Sequence, residues 1–203
     1  MSRRITSWSL IVCMAMFAIG CGGGTSQSTP ENTFKGFKAA VSNDDWESAF
    51  KYLTSDSQDM LLGSVVMGST FSVGFSQDKE KGKDLEELLK KHGIKMDVEK
   101  KPAGDPSAAM KSLVTGVKDK GACFQELTKF MEEMSQGKEK DSGPADKIKK
   151  TVFKDAKIEG DKATVTFTVD GEDQKEPMIF KKKDGKWFID MVASEGAAGG
   201  PGK

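Results

Sequence analysis

The spacing of apolar residues changes once along this chain, near residue 151, and that change fixes the class of fold. Before it, apolar residues recur every three or four positions. Phe34, Phe37 and Val41 form one set, Trp46, Ala49, Phe50 and Leu53 a second, and Phe124, Leu127, Phe130, Met131 and Met134 a third. That is the period of helices with one buried face. Beyond residue 151, Ala163, Val165, Phe167 and Val169 alternate with Thr and Lys, the period of a half-buried strand. Gly160-Asp161 and Asp184-Gly185 are two-residue hairpin signals, and Met178 to Phe180 and Trp187 to Ile189 read as the next strands. Helices first and strands last predict an α+β fold, with N-terminal helices packed on a C-terminal antiparallel meander of three to four strands.

The helical half reads in some detail. Thr29-Pro30-Glu31 is a helix start, with Thr as cap and Pro at the first helical position. Asn43-Asp44 ends that helix and opens the next. Residues 60–75 carry no charge but hold several Gly and Ser; the spacing predicts a buried helix, with an irregular or membrane-touching segment as the alternative. Gln77 to Lys83 reads as a charged loop, and Asp84 as the start of a helix bearing Leu85, Leu88 and Leu89. Ile94, Met96 and Val98 alternate briefly, and Pro102 and Pro106 mark the edges of a turn. Ser107 to Lys118 is expected to be helical, as is the stretch after Gly121; Gly137 to Asp146 reads as a loop.

The first 20 residues have a separate logic. Arg3 and Arg4 precede a charge-free stretch, Ile5 to Gly20, that is shorter than the roughly 20 residues a spanning helix needs. Ala18-Ile19-Gly20-Cys21 then resembles the lipobox of bacterial lipoproteins, although Ala stands where Leu is usual. Residues 1–20 are therefore expected to be a signal peptide cleaved between Gly20 and Cys21. Diacylglyceryl-Cys21 would be a stable membrane anchor, since each buried methylene contributes about 0.8 kcal/mol. Thr6 and Ser7 after the arginines favour general secretion over twin-arginine export. Gly22 rather than Asp after Cys21 favours the outer membrane in a diderm cell. Residues 21–29 read as a flexible Gly/Ser/Thr tether, 30–193 as a single α+β domain with a helical middle, and 194–203 as a disordered tail.

Charge narrows the partners. Arg3 and Arg4 are the chain's only arginines, so 29 lysines face 31 acids after the leader. That balance gives no electrostatic drive toward nucleic acid. The expected partners are the membrane through Cys21 and an envelope protein, a peptidoglycan fragment or a small apolar ligand.

TPENTFKGFKAAVSNDDWESAFKYL, over residues 29–53, resembles the opening helix pair of the nuclear-transport-factor-2-like superfamily, whose domains are cone-like. IEGDKATVTF and FKKKDGKWFID are similar to that superfamily's closing strands. In particular the chain resembles small bacterial lipoproteins that carry this domain. The resemblance implies a pocket between a curved sheet and the helices, in which some members use Asp, His and Tyr as isomerases or dehydratases. The helical middle, about 60–135, departs from the family layout.

Residues for chemistry are few. His92, the only histidine, sits at an expected helix end among lysines, where a solvated cap outweighs a catalytic base. Tyr52, the only tyrosine, is the one candidate polar group for the implied pocket. No His/Cys cluster has metal-ligand spacing, and no phosphate loop or nucleophile elbow is present, so neither metal nor cofactor is expected. Cys123 reads as a buried, inert thiol, and the methionines as core. No catalytic residues are assigned. The sequence therefore favours a non-enzymatic binding or interaction module. An isomerase-like enzyme acting on a small hydrophobic molecule, and a purely structural envelope component, are the alternatives.

Overall fold

The computed structural model describes residues 26–76, 78–95, 106–135 and 144–198. Residues 1–25, on which the expected signal peptide, Cys21 and most of the expected tether fall, lie outside the described residues, as do 77, 96–105 with Met96, Val98 and Pro102, 136–143 and 199–203. The fold is α+β: helices come first and an antiparallel sheet follows.

Helix α1 spans Pro30–Ser42, its start fixed by Thr29, whose side chain accepts from the Asn32 amide at 3.1 Å. Asp44, in the left-handed region at φ 55, turns the chain into α2, Trp46–Phe50, capped by Asp45 accepting from the Ser48 amide at 2.9 Å. This second helix is only five residues long. Leu53, expected on its apolar face, instead lies in a bridge to Ile189 and is still buried. Helix α3, Ser55–Ser76, absorbs the whole uncharged run. Helix α4 spans Lys79–Lys91 and begins five residues earlier than expected from Asp84. Asp78 is the reason: one of its oxygens accepts from the amides of both Glu80 and Lys81, so the charged segment starts a helix instead of a loop.

Helix α5, Pro106–Val114, stops short of Lys118, with Pro106 at its first position. Helix α6, Lys120–Met134, is capped by Asp119 through the Ala122 amide. Helix α7, Pro144–Lys150, begins inside the stretch whose composition predicts a loop up to Asp146; an acid stands in its first turn, lysines in its last, and Ile148 packs against the core.

The sheet comprises β1 (Thr151–Glu159), β2 (Lys162–Val169), β3 (Glu172–Asp173), β4 (Met178–Lys183) and β5 (Lys186–Asp190), in the order β1-β2-β4-β5, with β3 paired to the end of β2. Its four longer strands are the expected meander. Both hairpins turn where expected: Glu159 faces Lys162 across Gly160-Asp161, and Lys183 faces Lys186 across Asp184-Gly185, the latter pair with φ of 51 and 76. Register puts Ala163, Val165, Phe180, Trp187 and Ile189 on one face, buried with Phe34 and Phe37 of α1. Ile179 and Asp190, paired across strands, are buried on the other face.

That second face is closed by α8, Met191–Ala198, over positions where the sequence reading ends the domain at 193 and begins a tail. Asp190 explains the difference. Its carboxylate accepts from the Ala193 amide at 2.9 Å, and its carbonyl from the Ser194 hydroxyl at 2.7 Å, while Ser194 accepts from the Ile179 amide at 2.9 Å. The tether also ends earlier than residue 29. The carbonyl of Gln27 accepts from the Trp187 amide at 2.9 Å, and its side-chain amide donates back to the Trp187 carbonyl at 3.0 Å.

Helix contacts are close enough at two glycines to exclude any side chain. A Cβ on Gly121 of α6 would lie 2.7 Å from Glu47 Cα in α2, and one on Gly63 of α3 would lie 2.7 Å from Met110 Cβ in α5. Because the Glu47 neighbour is backbone, it cannot swing aside. Gly121→Ala is predicted to destabilise the chain by about 1–3 kcal/mol, the usual cost of overpacking. Urea unfolding at neutral pH checks this, and an unchanged midpoint would contradict the close α2–α6 approach.

Candidate functional site

The most unusual surface lies at the far end of α3. Helices α3 and α6 run side by side in the same direction, pinned near their starts by the Asp59–Lys120 ion pair at 2.5 Å. Helix α4 returns along them: Gly82 approaches Val73, the Lys81 ammonium lies 5.8 Å from the Phe130 ring, and Lys91 reaches Glu126. Leu62 and Val66 on α3 are buried, as are Leu127 and Phe130 on α6. Past those residues the cover runs out. Phe71 is 68% exposed, Phe75 71% and Met67 39%.

Phe71 and Phe75 pack edge to face, with ring centroids 4.4 Å apart and planes at 69°. Together with Met131, Met134, Ser72, Ser76 and Ser135 they line an open groove of about 450 Å³. The largest apolar patch on a typical monomer is about 300–600 Å² and is often functional, and this surface approaches that size. No charged side chain lines the groove. It offers shape and apolar surface, and none of its lining residues is a general acid or base.

Sequence reasoning named none of these residues as a site. It placed Met131 and Met134 on a core face, where the structure leaves them half-buried along the groove. One signal was present: residues 61 to 75 place apolar side chains on every side of the helix, more than one buried face can use.

The residues that the sequence did single out lie elsewhere. Tyr52 sits between α2 and α3, half-buried against the core, and its carbonyl accepts from the Ile189 amide at 2.8 Å. The layer between α1 and the sheet, where the family resemblance implies a pocket, holds the buried side chains of Phe34, Phe37, Val165 and Phe180. Gly20 and Cys21 lie outside the described residues.

His92 caps α4, but it is not solvated. Its side chain is 12% exposed, and Nε2 lies 3.1 Å from Glu126 Oε2, which also receives Lys91 Nζ at 2.7 Å. The Lys91 hydrogen bond, opposed by partial burial and aided by His92, holds the Glu126 carboxyl below the usual glutamate range. A carboxyl lowered in this way adds stability above its unfolded value of about 4.3, and that stability is lost as pH falls through the lower folded value. Glu126→Gln is therefore predicted to flatten the fall in stability between neutral pH and the acid range. Urea midpoints of parent and variant, compared across that range, read the difference. Parallel curves would contradict the coupling.

Cys123 is buried, as expected, and its thiol is pushed up to about 12, first by desolvation and then by Glu126 and Asp119. Iodoacetamide at pH 8, followed by peptide mass mapping, is predicted to leave Cys123 unmodified in the folded chain and to alkylate it in denaturant. Labelling at equal rates in both states would contradict its burial.

Among the described residues, no group of three or more His, Cys, Asp or Glu stands together to hold a metal ion, and no helix is long and apolar enough to cross a membrane. No family model matches the chain, and no curated protein or solved structure matches it.

Proposed function

We propose that this chain is a bacterial lipoprotein, anchored through diacylglyceryl-Cys21 on the outer side of a membrane, whose domain is a non-enzymatic binding module of the cell envelope. The observation that carries the binding role is the exposed Phe71–Phe75 pair on its groove. The anchor is supported by the Ala18-Ile19-Gly20-Cys21 motif behind a charge-free stretch that starts after Arg4. The outer membrane is the favoured address in a diderm cell, because Gly22 follows Cys21. Kinship with nuclear-transport-factor-2-like domains belongs to the same proposal; the helix pair over 30–50 and the closing hairpins support it.

Binding is favoured over catalysis by where the polar candidates lie. His92 is tied to Glu126 between α4 and α6, and Tyr52 stands at the join between α2 and β5, both away from the groove's lining. Cys21→Ser is predicted to move the protein from the membrane fraction to the soluble fraction, because two acyl chains supply most of the attachment. Cell fractionation and immunoblotting check this, and a variant that still sediments wholly with membranes would refute the anchor.

A further inference from the structure

We propose that the groove's occupant is the bilayer itself: the Phe71–Phe75 end of α3 inserts at shallow depth into the membrane that carries Cys21, giving the domain a second point of attachment. This rests on the reading of Cys21 as the anchor and extends it to the site.

Size is the first argument. At about 200 Å² for a whole aromatic side chain, two rings roughly 70% exposed present about 280 Å². Even with Met67 this is well under the roughly 800 Å² each partner contributes to a standard protein interface. A second copy of the chain would need much more apolar surface than this end of the fold supplies. A bilayer needs no matching partner surface, and a tethered domain meets it at high effective concentration.

Chain length is the second argument. Only five steps of chain separate Cys21 from Ser26, the first described residue. Fully extended they span about 18 Å. Anchored at Cys21, the folded domain is thus held close to the lipid surface, and α3 lies along that surface so that Phe71, about 24 Å beyond the helix start, reaches the lipid as well.

The chemistry of the helix is the third. No ionisable side chain occurs between Met60 and Ser76, so this face meets lipid without the cost of desolvating a charge. Most of its hydroxyls are already bonded: Ser69 and Thr70 donate to the Val66 carbonyl, and Ser76 donates to Val73 at 2.9 Å, while Ser72, half-buried on the groove, makes no such bond among the described residues. Across the groove Ser135 donates to the Glu132 carbonyl, also at 2.9 Å. Hydroxyls bonded back onto their own helix carry no bare donor into an apolar phase. Phe71 and Phe75 enter lipid edge to face, as they already pack in water.

The test uses the acylated protein carrying Phe75→Trp, reconstituted in phosphatidylcholine vesicles with and without brominated acyl chains. The emission of Trp46 and Trp187 is subtracted using the parent protein. The expected result is a blue-shifted added emission, largely lost in the brominated vesicles, and the same behaviour for Phe71→Trp if the first variant does not fold. If the chain floats with vesicles but the new indole emits as if in water and is not quenched, insertion is overturned and the anchor stands. If the chain does not float, the anchor reading fails. The same Trp variant made in the Cys21→Ser chain and mixed with vesicles then reads insertion alone, and unquenched emission there overturns it. A blue shift that grows with protein concentration in the absence of lipid would assign the face to a second copy and overturn the proposal.

Discussion

Strand β5 organises this molecule through the hydrogen bonds on its outer edge. An edge strand normally leaves a row of amides and carbonyls open to pairing with another chain. Here the row is taken from within. Gln27 brackets Trp187 from both sides, the Thr33 hydroxyl donates to the Trp187 carbonyl, and the chain from Tyr52 to Thr54 brackets Ile189. Two stretches far from it in sequence, 27–33 and 52–54, thus meet on five residues of strand. The clamp sets where the chain enters the domain, where α3 begins, and how α1 lies across the sheet. The Ser57 hydroxyl, accepting from the Met191 amide, continues it into α8.

From that fixed start α3 projects the length of a 22-residue helix, about 33 Å. Its first half is held by α5, α6 and α8. Among the described residues, its last turns are flanked by α4 and the end of α6. The exposed phenylalanines follow from this geometry, because a helix set rigidly at one end and longer than its neighbours must carry its final side chains past the core. Two helix C-termini, those of α3 and α6, meet at the groove without a basic residue in either last turn. The groove's own lining therefore combines apolar walls with hydroxyls and carries no charged side chain, while Glu132 and Glu133 stand in the last turn of α6 beside it.

How legible each part was depends on how many polar markers its sequence carries. The hairpins were readable because Gly160-Asp161 and Asp184-Gly185 allow positive φ where a tight turn demands it. The opening helix was readable from Thr29 and Pro30. Helix α4 was placed late because Asp84 and Asp78 are equally good caps on paper, and only Asp78 meets two free amides. Helix α8 was hidden because its stability comes from Asp190 and Ser194 bonding to a strand and a turn, which no periodicity encodes. The groove was hidden for the opposite reason. Within a run that has no charge, Leu62 and Phe71 look alike, and which of them is covered depends on where other helices end. Tyr52 was noticed for its chemistry, and the structure packs it against the core beside β5, where its carbonyl accepts from the Ile189 amide.

The protein divides into a clamped body and one open helix end, and amide hydrogen exchange on the chain with the proposed acylation, alone in detergent and then in vesicles, tests that division most directly. The amides of Trp187 and Ile189 should exchange only through global unfolding in both settings, while those of Phe71 to Ser76 should exchange faster in detergent and slow in vesicles. Exchange at Trp187 and Ile189 as fast as at the outward-facing amides of β1 would contradict the clamp, and with it the fixed projection of α3.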